Sequence, residues 1–135
     1  MNRLDFLLEQ GIKASPSESL LNVTFKEANK GQSICHWHIT PEQLNGNGTV
    51  LGGFITAAAD IGMAYALLSV VKPNVGFTSI SIQSTYHRPG TVGEAEIRTV
   101  VKKLGKTIAY VESEVYQRNR VIATITSSLM LIEAP

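Results

Sequence analysis

Apolar positions along the chain change period twice. Residues 2–11 carry Leu4, Leu7 and Leu8 at helical spacing and stop at Gly11, which predicts a short amphipathic helix within residues 1–12. Ser15-Pro16-Ser17 breaks it. From Leu20 to Thr40 the period shortens: Leu21, Val23 and Phe25 alternate, Lys30-Gly31 makes a turn, and a second strand covers 34–39. Thr40-Pro41-Glu42-Gln43-Leu44 fits one helical turn. Residues 51–71 then form the longest apolar run, interrupted only by Thr56, Asp60 and Ser69. A segment apolar on all sides predicts a helix over 52–71 buried all round, and Lys72-Pro73-Asn74 stops it.

After the helix the chain is all strand. The first is 75–87, with Ile80, Ile82 and Tyr86 on one face and Ser79, Ser81, Gln83 and Thr85 on the other. Segments 94–103, 106–117 and 121–132 read as a meander, with Gly105 and Asn119 placed for the positive φ of tight hairpins. Two strands, one long helix and four antiparallel strands predict an α+β fold, in one domain spanning residues 1–135. A sheet wrapping one helix leaves an open edge and, with Val100, Ile108 and Tyr116 pointing outward, an apolar outer face. Both need covering, so a homodimer or homotetramer is expected.

Composition narrows the classes. At 44% hydrophobic and 17% charged, the 135 residues describe a globular chain. A net charge of +1 and the lack of interleaved basic and aromatic residues exclude a nucleic-acid partner. Cys35 is alone, so no internal disulfide forms; with no signal-peptide pattern at the start, a cytoplasmic protein is expected. Residues 51–71 are long enough to mimic a membrane span, but Asp60 at the centre argues for a buried helix instead, since a charge at mid-bilayer costs about 2.5–3.5 kcal/mol or more.

Asp60 is also the candidate chemistry. No basic residue lies within a helical turn of it, and a carboxylate losing hydration without a partner has its pKa raised. Upstream, Asn45-Gly-Asn-Gly48 and Gly52-Gly53 supply a tight loop and a helix entrance with free backbone N–H groups. An acid or base facing an anion-stabilising helix start is what acyl transfer or hydrolysis requires.

The run from Asn45 through Gly52-Gly53 to Asp60, the strand exit Tyr86-His-Arg-Pro89 with Gly93, and the final strand 121–130 resemble the hotdog-fold acyl-CoA thioesterases. The similarity covers about residues 20 to 132 and is closest to the branch typified by phenylacetate-pathway thioesterases. It implies a hotdog fold, an antiparallel sheet wrapped around one long central helix, and hydrolysis of acyl-CoA thioesters without metal or bound cofactor, coenzyme A entering as part of the substrate. Carried over by position, the backbone N–H of Gly52 would hold the developing oxyanion. Asn45 would orient the thioester carbonyl or the loop presenting Gly52. Asp60 would activate water as general base, or act as a nucleophile, and Ser79 would help orient the water. In such dimers the Asp faces the Gly of the other subunit. Gly53 and the aromatic Tyr86 would line the substrate site, and Arg88 would meet coenzyme A phosphates. Pocket walls would come from Phe54, Met63, Tyr65, Phe77 and Tyr86.

Leu51 departs from the pattern, for the family places a histidine there. A coenzyme A thiolate leaves without protonation, so this loss weakens but does not abolish a hydrolase. Two other functions fit the same fold: a non-catalytic acyl-CoA-binding protein, and a dehydratase or hydratase, which would need a histidine near Asp60. Each residue also has an ordinary structural role: Asp60 bonded to Thr56 one turn earlier, the glycines as close packing, Asn45 as a turn former, Ser79 as a plain strand residue, Arg88 as a solvated cation. His36-x-His38 on one strand face has zinc-ligand character but no third ligand at a fitting spacing.

Overall fold

The computed structural model describes residues 1–135. Helices α1 (Arg3–Glu9) and α2 (Pro16–Leu21) precede strands β1 (Val23–Asn29) and β2 (Gln32–Ile39). A single 3-10 turn at Pro41–Gln43 leads to helix α3 (Gly52–Leu68). Strands β3 (Val75–Tyr86), β4 (Gly93–Leu104), β5 (Ile108–Gln117) and β6 (Arg120–Glu133) follow. The six strands form one antiparallel sheet ordered β1-β2-β4-β5-β6-β3, and α3 packs chiefly on β4, β2 and β5. This is the hotdog fold: α+β, an antiparallel sheet wrapped around one long central helix.

Complementary shape holds the helix in the sheet. Ile55, Ala58, Ala59, Met63 and Leu67 of α3 are buried in one core with Trp37, Ile97, Val111, Val115 and Ile125 from the strands. The backbones approach closely at Gly62, where an added Cβ would stand 2.9 Å from both Ile97 Cγ2 and Thr99 Oγ1. Three buried sheet hydroxyls complete the contact. Ser33 Oγ donates to the Gly62 carbonyl at 2.7 Å, Thr99 and Ser113 share a bond of 2.7 Å, and Ser113 Oγ donates weakly to the Ala59 carbonyl at 3.5 Å. These bonds fix the rotation of α3 about its axis. With 3.6 residues per turn, the face holding Ala57, Asp60, Ile61 and Ala64 then points away from the sheet.

Several expectations need correction. The helix is not buried all round, because one sheet covers only one side and leaves Asp60 exposed and Ala57, Ile61, Ala64 and Tyr65 half-buried. It ends at Leu68, not Val71: Ser69 Oγ donates to the Ala66 carbonyl and accepts the Gly31 N–H, closing the helix before Pro73. The first helix is confined to Arg3–Glu9, capped by the Asn2 side chain at Asp5 N. Ser15-Pro16-Ser17 starts a helix as well as breaking one: the Glu18 carboxylate accepts from Ser15 N at 2.6 Å, and Pro16 occupies the first turn, where its missing N–H is harmless. Leu21 therefore belongs to α2.

Two strand details also differ. Gly105 does not adopt positive φ; it is required because a Cβ there would lie 2.7 Å from the Ile108 carbonyl oxygen, and the hairpin at Asn119 takes its positive φ from Arg118 and Asn119 together. The β3–β6 register slips between Ser79 and Ser81, leaving Ile80 as the inserted residue. Beyond the slip Ile82, Ser84 and Tyr86 oppose Ser127, Ile125 and Ala123, whereas Ser79 opposes Leu129. Those partners all face the helix side, so Ser79 shares the face of Tyr86 rather than that of Ser81, Gln83 and Thr85.

On the outer face Val100 and Ile108 are exposed as expected, whereas Tyr116 lies beneath Arg98, whose guanidinium carbon is 4.2 Å from the ring centroid. Edge strand β3 pairs with β6 alone. No helix is long and apolar enough to cross a membrane. The close approach at Gly62 yields a test. Gly62→Ala should lower stability by about 1–2 kcal/mol, because overpacking costs roughly 1–3 kcal/mol and exceeds the helix-propensity gain of at most about 1 kcal/mol. The denaturation midpoint measures it, with an unchanged m-value expected.

Candidate functional site at the start and open face of the central helix

Short polar links hold the entrance of α3. Val50 N donates to the Gly90 carbonyl at 3.0 Å and Leu51 N to the Gln43 carbonyl at 2.9 Å, which fixes the chain entering the helix. Leu51 is the N-cap, is exposed, and offers no side-chain acceptor. The first internal bond is Phe54 N to the Leu51 carbonyl at 2.9 Å, so the N–H groups of Gly52 and Gly53 have no acceptor in the chain. They carry the positive end of the helix dipole. Nothing stands within 4 Å of a Cβ built on Gly53, leaving the space above it open.

The ring of Tyr86 lies against Gly52, where an added Cβ would be 2.8 Å from Tyr86 Cζ. Its hydroxyl donates to the Gly52 carbonyl at 2.9 Å and stands 2.9 Å from Thr56 Oγ1, which is in turn 2.6 Å from Ser84 Oγ. This hydroxyl chain ties the helix start to β3. Asn45 Oδ1 accepts from Asn47 N at 2.9 Å, Thr49 N at 3.2 Å and Thr49 Oγ1 at 3.3 Å, so its oxygen shapes the loop ahead of Gly52. Arg88 turns back on the protein, Nη1 donating to the Val121 carbonyl at 2.9 Å.

Asp60 has neither a hydrogen-bond partner nor an ion pair in its own chain. Thr56, the neighbour one turn earlier, spends its hydroxyl on Ser84 and Tyr86. Although Asp60 is solvent-exposed, partial loss of hydration beside the cavity holds its carboxyl above the usual value of 3.8. Its side of α3 opens into a cavity of about 1000 Å³ whose other walls are α1, α2 and β1. Of the residues expected to wall a pocket, Tyr65 lines this cavity and Met63 is sealed in the core. Tyr65 stacks on Phe25 with centroids 4.2 Å apart and donates from its hydroxyl to Glu18 Oε1 at 2.5 Å. Burial, and then that carboxylate, hold the phenol well above its ordinary value.

Other candidate chemistry is committed elsewhere. Burial pushes the Cys35 thiol up to about 12, so it is not a thiolate at neutral pH. His36 and His38 face Glu96 and Glu94 across the β2–β4 pair, His38 Nδ1 lying 2.5 Å from Glu94 Oε1, and no three metal-binding side chains converge.

Residues 47–124 match the sequence profile of the Thioesterase superfamily. The chain belongs to that superfamily. Over 114 residues it is 25% identical to a Pseudomonas aeruginosa protein provisionally named an esterase, covering 83% of this chain and 85% of the relative. A phenylacetic acid degradation-related protein of Ralstonia eutropha JMP134 superposes with a TM-score of 0.88 at 20% identity, over 96% of this chain and 99% of that one. The PaaI protein of the Escherichia coli phenylacetic acid degradation operon superposes with a TM-score of 0.84 at 19% identity, over 98% and 92%. These two likenesses are likenesses of fold. In this thioesterase-superfamily chain the matched span carries the Asn45 loop's end, α3 and β3 to β5, whereas α1 and α2, which wall the cavity, lie outside it.

The lowered acidity of Asp60 has a consequence for stability whose sign can be measured. The folded state binds this proton more tightly than the unfolded chain, so stability falls as pH rises from 3.8 through the raised value. Asp60→Asn should therefore melt at a higher temperature than the parent at neutral pH. The difference should close as pH falls towards 3.8. Thermal unfolding across a pH series checks this.

Proposed function

We propose that this chain hydrolyses acyl-CoA thioesters in the cytoplasm as a homodimer, or a dimer of such dimers, with each active site built from two subunits. The carrying observation is an unpartnered Asp60 on the open face of α3, beside a cavity, in a member of the Thioesterase superfamily. Its own Gly52 lies eight positions back on the same helix. At 1.5 Å rise per residue that is about 12 Å, too far for both to serve one carbonyl. Two antiparallel helices side by side would bring Asp60 to Gly52 of the partner subunit. Edge strand β3, unpaired on its outer side, supports such an arrangement.

In the proposed reaction Asp60 takes a proton from water while the water oxygen bonds to the thioester carbon. The carbonyl oxygen becomes an oxyanion between the N–H groups of the partner's Gly52 and Gly53, whose removal would cost roughly 3–4 kcal/mol in such a transition state. The carbon–sulfur bond then breaks, releasing coenzyme A thiolate and the carboxylic acid. Ser79, on the helix-facing side of β3, would orient the water. Asn45 acts through its loop, and Tyr86 and Thr56 hold the helix start. Arg88 is left to the nucleotide end. Neither metal nor bound cofactor enters this scheme.

Leu51 in place of the family's histidine favours a second reading, an acyl-CoA binder without turnover. The dehydratase reading has less support, since the cavity's histidine, His38, is held by Glu94. Thiol release from acyl-CoAs separates them. Asp60→Asn should lower kcat/KM by about 10²–10⁴ with little change in acyl-CoA affinity, the scale expected for a lost general base. Equal rates for variant and parent would refute the mechanism, and binding without release from any thioester would favour the binder.

A further inference from the structure

The cavity beside Asp60 is partly open to solvent and is walled by two short helices, each anchored to the rest of the fold. Arg3 pins the first helix across the end of α3, its N–H donating to the Val71 carbonyl at 2.9 Å and Nη1 to the Pro73 carbonyl at 2.6 Å. Leu4 is buried beneath α1. Glu18 pins the second helix: it accepts from Ser15 N and Oγ on one oxygen and from Tyr65 on the other. Between these anchors Leu4, Leu7, Leu8 and Ile12 face Ile61 and Leu68 of α3 across the cavity. Leu8 and Ile12 remain more than half exposed, as expected for walls waiting on an apolar occupant.

We propose that this α1–α2–α3 cavity holds the acyl chain of the thioester, and that the chain is an aliphatic one of medium to long length. The assignment rests on the hydrolase reading above and goes beyond it to a substrate class. Three observations carry it. Asp60, which would attack through water at the carbonyl, sits on the cavity wall, so a tail leaving that carbonyl enters the space directly. About 1000 Å³ reaches the upper end of the range for small-molecule sites, more than a short acyl group fills. Inside, Glu18 and Tyr65 satisfy one another, and hydrophobic side chains make up most of the lining. Phe25 and Tyr65 already stack face to face, and the remaining apolar wall is mainly aliphatic.

The test compares butanoyl-, octanoyl-, dodecanoyl- and hexadecanoyl-CoA, measuring both thiol release and calorimetric binding. The proteins are the parent, Leu8→Trp, Ile12→Trp and the control Leu20→Trp, which is exposed and lies off the cavity. In the parent, kcat/KM and affinity should climb by up to about fourfold per added methylene until the cavity fills. Either filling variant should cut the dodecanoyl-to-butanoyl ratio by about tenfold or more, two methylenes' worth of lost space, while Leu20→Trp keeps the parent's ratio. Unchanged ratios in both filling variants overturn the cavity assignment even where hydrolysis proceeds. If no thioester is hydrolysed, the hydrolase reading fails by itself, and the binding ratios then decide the cavity: a ratio cut by the filling variants supports it, an unchanged ratio overturns it.

Discussion

The seating of α3 on the sheet is the constraint from which the rest follows. Gly62 brings helix backbone against Ile97 and Thr99, and the Ser33 hydroxyl grips the Gly62 carbonyl. A helix held at that point can neither roll nor slide without opening a void or stranding a buried hydroxyl, each costing roughly 1–3 kcal/mol. Its rotation is therefore set, and rotation decides what Asp60 can do. Turned towards the sheet, the carboxylate would need a buried partner. Turned away, it stays unpaired, partly desolvated and next to open space.

The same seating explains why the helix start is available. Backbone bonds from Val50 and Leu51 and the hydroxyl chain from Tyr86 through Thr56 to Ser84 fix the entrance. None of these bonds uses the N–H groups of Gly52 or Gly53. An acidic group and a pair of amide donors thus occur on one rigid element, yet about 12 Å apart along it. Rigidity keeps them apart within one chain, and a second copy is the economical way to join them.

Much of this was legible in the sequence, for physical reasons. The apolar run around Asp60, the meander of alternating strands and the Lys30-Gly31 and Asn119 turns depend on local pattern, and the sheet and central helix follow from them. Gly52, Asn45, Asp60 and Tyr86 fall where the helix entrance and its open face are. What escaped reading depends on register or on partners distant in sequence. Ile80 bulges out of β3 and carries Ser79 to the opposite face, a shift that alternation alone cannot reveal. The Ser15-x-x-Glu18 signal was present but masked by Pro16, which breaks helices in their interior and favours them at their start. Because α2 is not legible from local pattern, the cavity walls that α1 and α2 provide are not legible either. Gly105 shows the converse: the glycine is required, but for close approach to Ile108 rather than for positive φ.

Sharing of one site between two subunits is the claim on which the functional account turns, and mixed dimers test it most directly. Asp60→Asn removes the carboxylate, and Gly52→Val, whose side chain would collide with Tyr86 2.8 Å away, displaces the amide donors; the two chains are co-expressed with separate tags and assayed on dodecanoyl-CoA. Each variant alone should be inactive. Random mixing should restore about a quarter of the parent's activity, because half the dimers are mixed and each contains one intact pairing. Activity in the mixture no greater than that of the two variants alone would contradict the account.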